Sequence, residues 1–308
     1  MRAVVFTTSV LVLYAELLLT RYLSILLSPY LTLFVIAFSI CGLGLGAMFV
    51  SLKYSNVSNR EPILRRWIGI LATTMSLFPP LILAFPWLAP SGLPLVCFFF
   101  AGGVLSLSYM KEDRPERLYP FDLLGAAFGL ILIIFFLQVS DEVTALLLLS
   151  LLSLNLFHFL IQKKSSTVKL IALQAVLLLL ILVNVPNDMG QNRLIQLPLQ
   201  AVSNFRTSMK TQLDDENGRI VESASRYFIR TDRVQTNDTD QQFIYGDGRY
   251  RARMVKWRDE PSPRLRRLMG VRNIPYADTH INSVLDLGAG AGLGVAAALW
   301  EGVKEITA

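Results

Sequence analysis

Charged residues are scarce in this sequence. Only 17% of its 308 residues are Asp, Glu, Lys or Arg, whereas 53% are hydrophobic. Soluble domains usually carry about 25% charged and about 45–50% apolar residues, so this balance argues against a purely soluble protein. It also excludes an intrinsically disordered chain, which combines few apolar residues with high charge.

Cysteine and histidine are almost absent, with two of each in the chain. Cys41 and Cys97 both lie inside apolar runs, so neither a disulfide framework nor a cysteine-ligated metal site is indicated. We therefore expect no metal ion, and the composition does not favour a zinc or haem protein.

A strong excess of one charge is missing from the polar part of the chain. The net charge is +6, yet residues 186–308 hold 17 basic and 15 acidic side chains. The basic run Arg249–Lys256 is soon followed by Asp259 and Glu260, which favours a solvated or headgroup-facing surface over a nucleic-acid groove. We expect no nucleic-acid partner.

Long apolar runs dominate residues 1–185. A membrane crossing takes roughly 20 apolar residues, and most of these runs have that length. They also lack the polar face that a buried helix of a soluble protein would show. The sequence therefore predicts a multi-pass protein of the plasma (bacterial inner) membrane, with the lipid bilayer as its partner and about seven spans. The predicted spans are Ala3–Leu27, Leu31–Leu52, Trp67–Leu88, Leu93–Tyr109, Phe121–Gln138, Val143–Ile161 and Leu170–Val185.

After Val185 the composition becomes polar and rich in turn residues. We expect residues 186–224 to form a connector and residues 225–308 to form a second domain. Ser225–Val234 and Gln241–Tyr245 are predicted to be two strands of an antiparallel hairpin.

A glycine-rich turn follows a short apolar strand near the end of the sequence. Glycines let a turn reverse tightly, and they let backbone amides approach a ligand without a Cβ in the way. The spacing differs from the dinucleotide G-x-G-x-x-G fingerprint and matches better the E/D-x-G-x-G-x-G turn of S-adenosylmethionine-type domains. We therefore predict that this turn binds S-adenosylmethionine or its decarboxylated form. The predicted binding residues are Asp286, Gly288, Gly290 and Gly292.

The sequence ends at Ala308, directly after the predicted second strand of this α/β domain. A single strand, a helix and a strand stub cannot bury a doubly wound core, so we expect a fragment that is inactive alone. No catalytic residue is assigned. The expected fold class is a polytopic α-helical membrane domain, a small β-hairpin segment, and the first β-α unit of an incomplete Rossmann-like domain.

Four segments together resemble one family. Ala15–Ser24 is similar to its first-span A-E-x-x-x-T-R-x-x-S pattern, and Cys41–Met48 to its glycine-rich second span. Leu118–Gly129 resembles L-Y-x-x-D-L-x-G-A-x-x-G, and Asp286–Gly294 is the cofactor turn. On these motifs the chain resembles the membrane-embedded spermidine-synthase-like proteins, that is, a polyamine aminopropyltransferase-like protein truncated at its C-terminus.

The resemblance implies transfer of an aminopropyl group from decarboxylated S-adenosylmethionine to a polyamine or other amine. Methyl transfer from S-adenosylmethionine stays open, because the Gly288–Gly292 turn reads G-A-G-A-G where polyamine synthases commonly have G-G-G-D-G-G. A non-enzymatic transporter or polyamine sensor is the alternative.

In the first 185 positions, most basic residues lie in every second loop between the predicted spans. Because positively charged loops stay in the cytoplasm, this pattern places the N-terminus there. Seven crossings would then leave the polar domain outside, although the cofactor is a cytoplasmic metabolite. The last run, Leu170–Val185, would form a helix of only about 24 Å, short of a full crossing. We therefore expect it to be re-entrant or interfacial and the soluble domain to be cytoplasmic.

A few polar and small residues inside the spans have two interpretations each. Glu16 either forms part of a site for a cation such as a polyamine or pairs with an arginine of another span. Asp122 is interpreted first as a helix cap. Two small-residue pairs, Gly42 with Gly46 and Gly125 with Gly129, are interpreted as close helix packing.

Overall fold

A computed structural model describes residues 1–26, 29–85, 88, 92–159, 164–184, 218–226, 229–235, 241–246, 250–255, 281–285 and 293–307. These residues fall into two compact units. The helices of the first 184 residues form one unit, and most of the strands and a short helix form the other.

Seven helices occupy the positions of the predicted spans. The sixth continues as a 3₁₀ segment, Asn155–Phe159. Their bounds are α1 Arg2–Leu26, α2 Pro29–Tyr54, α3 Glu61–Ala84, α4 Leu93–Lys111, α5 Tyr119–Val139, α6 Glu142–Leu154 and α7 Lys164–Asn184.

Five of these helices, α1 to α5, are long and apolar enough to cross a membrane, whereas the apolar stretches of α6 and α7 are shorter. The prediction of a multi-pass membrane protein is therefore supported by five helices of sufficient length, and the expectation of about seven spans stays a prediction for α6 and α7. In α3 the helix begins at Glu61, before the predicted Trp67, because the Glu61-Pro62 pair suits a first helical turn.

The helices pack as a bundle with one shared apolar core. α1 lies along α5, α2 lies along α4, and α3 packs against α4 and α6, while α7 packs on α6. Buried aromatic side chains from α1, α3 and α4 fill the centre, among them Tyr14, Tyr22, Phe78 and Phe98. Large apolar side chains on the outer faces of α2, α5 and α7 are exposed, as expected of surfaces that face lipid.

The last helix is longer than the sequence suggests. α7 covers 21 residues, Lys164–Asn184, where the apolar run predicts 16. The prediction was wrong at the N-terminal end, because Lys164 and Lys169 were taken to lie outside the helix. Lysine can occupy the end of a membrane helix, since its long stem lets the ammonium reach the interface.

An antiparallel sheet of four strands follows in the order β1-β2-β3-β4, with β1 Arg219–Arg226, β2 Ile229–Gln235, β3 Gln241–Gly246 and β4 Tyr250–Val255. Strands β2 and β3 form the predicted hairpin, with Arg233 opposite Ile244. The antiparallel hairpin is therefore confirmed, but the bounds of its first strand were wrong, because Ser225 and Arg226 belong to β1.

Two strands of this sheet were missed. β1 begins inside the predicted connector 186–224, and β4 lies in the basic run Arg249–Lys256. In β4 apolar and basic residues alternate with a period of two, which is the pattern of a strand with one covered face. Reading the arginines as one basic run concealed this alternation.

A second, smaller sheet contains β5 Ser283–Leu285 and β6 Glu305–Thr307, with helix α8 Leu293–Trp300 between them in the chain. The two strands pair in parallel, with Val284 opposite Ile306.

Candidate functional site

The predicted cofactor residues, Asp286, Gly288, Gly290 and Gly292, lie outside the described residues. The elements on both sides of that turn are described. β5 ends at Leu285 and α8 begins at Leu293, so the glycine-rich segment connects a strand to a helix N-terminus. This is the position in which a glycine turn can present backbone amides to an anionic or polar ligand.

The return from α8 to β6 completes a parallel β-α-β unit. Gly302 adopts a positive φ of 81° directly after α8, and Glu305 N donates to Asn282 O over 3.1 Å beside the first strand pair. The side chains of Ala297 and Ala298 in α8 and of Val303 after the turn are buried. The β-α-β order is therefore observed, while the larger Rossmann-like domain stays a prediction.

An ion pair lies inside the helical unit, between α1 and the start of α6. Arg21 Nε donates to Glu142 Oε1 over 3.2 Å, and the side chains are only 8% and 0% exposed. Removing a guanidinium and a carboxylate from water is costly unless they are paired. The pair therefore fixes the C-terminal half of α1 against the first turn of α6.

Asp141 extends this polar group along the start of α6. It is the N-cap of α6, and its Oδ1 accepts from Thr144 N over 3.0 Å and from Thr144 Oγ1 over 2.5 Å. Asn184, the last residue of α7, donates from Nδ2 to Thr144 Oγ1 over 2.8 Å. All of these side chains are buried. We call Arg21, Asp141, Glu142, Thr144 and Asn184 the polar cluster.

Sequence reasoning did not single out Glu142, Thr144 or Asn184. The available signal was the pair Asp141-Glu142 between two apolar runs, which is the usual composition of an N-cap and first helical turn. The partners could not be found in the same way, because Arg21 and Glu142 are separated by 121 positions.

Glu16 is half-buried on α1, and its carboxylate makes no ion pair or hydrogen bond with the residues that the structure describes. The expected pair between Glu16 and an arginine of another span is not formed there, and Arg21 of the same helix turns to Glu142 instead. The backbone oxygen of Glu16 accepts a hydrogen bond from Thr20 Oγ1 over 2.8 Å.

Asp122 does not cap α5, so the capping interpretation was wrong. The N-cap position is Leu118, which has no side-chain cap hydrogen bond. The two carboxylate oxygens of Asp122 instead accept from Ser9 Oγ of α1 and, over 2.9 Å, from Tyr109 OH of α4. Asp122 therefore joins three helices at the end of the bundle that holds the N-terminus.

The glycine pairs are packing sites, as expected. A Cβ on Gly46 would lie 1.9 Å from Phe99 O of α4, and one on Gly42 would lie 2.5 Å from Leu95 O. A Cβ on Gly125 would lie 2.4 Å from Phe6 O of α1, and one on Gly129 2.7 Å from Val10 O. Backbones this close leave no room for a ligand, so these positions serve helix contact.

Among the residues that the structure describes, no group of three or more His, Cys, Asp or Glu side chains could hold a metal ion.

Comparison with known proteins adds no identity. No protein-family model matches the chain, and neither a curated protein nor a solved structure matches it. The resemblance to spermidine-synthase-like proteins therefore rests on the sequence motifs alone.

Proposed function

We propose that residues 186–308, the polar region of this membrane protein, bind a sulfonium nucleoside, either S-adenosylmethionine or its decarboxylated form. The binding residues would be Asp286, Gly288, Gly290 and Gly292. In the intact protein this site would transfer an aminopropyl or methyl group to an amine, with polyamine biosynthesis as its setting. An amine nitrogen attacks the carbon attached to the positive sulfur, the carbon–sulfur bond breaks onto sulfur, and the amine loses a proton.

The observation that carries the proposal is the parallel pair β5 and β6 with α8 between them. In this arrangement the segment before α8 lies at the carboxyl end of β5 and at the N-terminus of a helix. Backbone amides and the helix dipole favour a polar ligand at that point. The alternation of glycine and alanine at 288–292 lets the ligand approach the backbone closely.

Equilibrium binding of radiolabelled S-adenosylmethionine and its decarboxylated form to the full chain in lipid nanodiscs tests this proposal. We expect saturable binding, and we expect Gly290→Leu to abolish it, because a branched side chain would occupy the ligand's space. Gly44→Ala is the matched control, since a Cβ there would meet nothing within 4 Å. Absence of saturable binding, or equal binding by Gly290→Leu, would contradict the proposal.

Glu16 favours a second candidate function, in which the membrane unit transports or senses an organic cation such as a polyamine. A carboxylate within a span is costly when ionised, and it marks a pathway or binding site when no structural partner explains it. Glu16 has no such partner among the described residues.

Uptake of labelled spermidine into vesicles that contain the full chain tests the second candidate. We expect Glu16→Gln to remove protein-dependent uptake and Glu61→Gln to leave it intact, because Glu61 is exposed at a helix start and pairs with Arg65 and Lys111. If Glu16→Gln and Glu61→Gln both keep the uptake rate of the unaltered chain, Glu16 has no role in uptake.

A further inference from the structure

We propose that the chain leaves the helical bundle on the membrane face opposite its N-terminus, and that this face lies outside the cytoplasm. The polypeptide after residue 184 then begins outside. This orientation is the reverse of the one expected from the short last apolar run, and it follows from contacts of α6 and α7.

Side-chain contacts at both ends of α7 give its direction relative to α6. Near the end of the α6 segment, His158 Nε2 lies 3.2 Å from Gln174 Oε1, and Gln174 Nε2 donates to Asn155 Oδ1 over 3.3 Å. At the other end, Asn184 donates to Thr144. α7 therefore runs antiparallel to α6 and ends beside the residues at which α6 begins.

α6 begins on the membrane face at which α1 ends. Glu142 pairs with Arg21, which lies 19 residues along α1 from Arg2, or about 29 Å along a helix. On the next residue of α1, Tyr22 OH donates to Ile82 O near the end of α3 over 3.2 Å. The starts of α6 and the ends of α1, α3 and α7 thus share one face, which we call the far face.

The opposite face contains the N-terminus. Arg2 lies 5.4 Å from the Phe121 ring centroid at the start of α5, and Ser9 and Tyr109 both bond Asp122. Arg60, before α3, donates to Met110 O near the end of α4.

The result does not depend on whether α6 and α7 cross the whole bilayer. If each of the helices α1 to α5 crosses the membrane once, the chain makes five crossings before α6. An odd number of crossings places the end of α5 on the far face, opposite the N-terminus. The hairpin of α6 and α7 then returns to the far face, whether it spans the membrane or only dips into it, because Asn184 comes back to Thr144.

Charge assigns the two faces to compartments. Of the 12 basic residues before position 186, eight lie at the N-terminal face and Arg21 lies at the far face. The other three, Lys163, Lys164 and Lys169, follow α6 in the chain and join the eight where the hairpin of α6 and α7 spans the membrane. The positive-inside rule places such residues in the cytoplasm. The sequence segments that connect α1 to α2, α3 to α4 and α5 to α6 contain Asp141 and no Lys or Arg, and α6 begins with Glu142.

The orientation does not rest on the proposed function, but it bears on it. The labelling described below therefore decides between the two candidate functions. Reaction of residue 187 in sealed membranes would exclude group transfer from a cytoplasmic sulfonium cofactor, whereas protection of residue 187 would overturn the orientation and leave the cofactor proposal standing. A chain that binds no sulfonium compound would give the same orientation result.

Single-cysteine labelling in sealed, right-side-out membranes tests the orientation. In a chain with Cys41→Ser and Cys97→Ala, we would introduce Asn187→Cys after α7 and, separately, Ser58→Cys in the exposed loop between α2 and α3. We expect a membrane-impermeant maleimide to label residue 187 in sealed membranes and residue 58 only after permeabilisation.

Any other pattern overturns the proposal, including labelling of both sites or of residue 58 alone. Labelling of both sites after permeabilisation shows that each is reactive. If the cysteine-free chain fails to fold, alkaline phosphatase fused to the native chain after Val185 and after Ser58 replaces the labelling. The enzyme is active only outside the cytoplasm, so activity at Val185 and not at Ser58 is expected, and the reverse overturns the orientation.

Discussion

At the scale of single residues, the Arg21–Glu142 pair shows how this bundle tolerates charge in an apolar interior. Both side chains are almost fully buried, and the pair joins α1 to α6. Each charge is stabilised by the other, so loss of one partner removes an ionic contact from a buried charge.

We therefore predict that Arg21→Met or Glu142→Leu alone lowers the free energy of unfolding by about 3–5 kcal/mol. The double variant should be less destabilised than the sum of the two, because it removes both buried charges together. Unfolding in mixed detergent micelles measures all three. Arg65→Ala, which breaks an exposed pair with Glu61, should cost about 0.3–0.5 kcal/mol. Additive losses in the double variant would refute the coupling.

Glycine contacts in α2 give a second test with a matched control. Gly46→Ala would place a Cβ against the Phe99 carbonyl of α4, so the two helices must separate. We expect a loss of stability of about 1–3 kcal/mol, the range of an overpacked core. Gly44→Ala, two residues away and in open space, should be neutral or slightly stabilising, since alanine favours helix. Thermal unfolding of the two variants side by side measures the difference.

Asp122 gives a third test at this scale. Asp122→Ala leaves the hydroxyls of Ser9 and Tyr109 without their shared acceptor at the junction of α1, α4 and α5. We expect a loss of about 0.5–1.5 kcal/mol for each hydrogen bond removed, because both bonds are only partly buried and Ser9 Oγ also contacts Val5 O over 3.0 Å. Asp122→Asn keeps an acceptor and should lose less. Equal losses would show that the carboxylate is not what joins these helices.

At the scale of elements, the hairpin of α6 and α7 decides where the chain leaves the bundle. Oxidative cross-linking tests its direction. In a cysteine-free chain, Thr144→Cys with Asn184→Cys should form a disulfide readily, since the native side chains are in hydrogen-bond contact. Thr144→Cys with Val168→Cys should not, because Val168 lies about 24 Å along α7 from Asn184. Cross-linking of the control pair alone would reverse the assignment of α7.

The elements also show which features could be predicted. The positions of the seven helices follow from apolar runs, since lipid and core both require apolar side chains. β4 was missed because its alternating Tyr250, Ala252 and Met254 were read together with the intervening arginines as one charged run. The lengths of α3 and α7 were misjudged because charged residues at their first turns were excluded from the helices.

The candidate sites were predictable only in part. The glycine turn is visible from spacing, and its strand and helix flanks follow from local pattern. The polar cluster depends on contacts between residues distant in the chain, 121 positions for Arg21 with Glu142 and 40 for Thr144 with Asn184. The sequence carries no local sign of which carboxylate Arg21 contacts. Glu142 and Glu16 are both acidic residues within apolar surroundings, and only the packing of α1 against α6 separates their roles.

At the scale of the whole molecule, the central claim is that α1 to α7 form a bundle integrated in a lipid bilayer. The apolar outer faces of α2, α5 and α7 would be costly to expose to water. The polar region, in contrast, is rich in charge and turns and has no run long enough to span a membrane by sequence.

Extraction of membranes with alkaline carbonate tests membrane integration most directly. This treatment releases proteins held on the surface and leaves integral proteins in the sedimented bilayer. We expect the full chain to remain in the pellet and to be released only by detergent. Quantitative release into the carbonate supernatant, as a soluble and folded protein, would contradict membrane integration and with it the orientation and both proposed functions of the membrane unit.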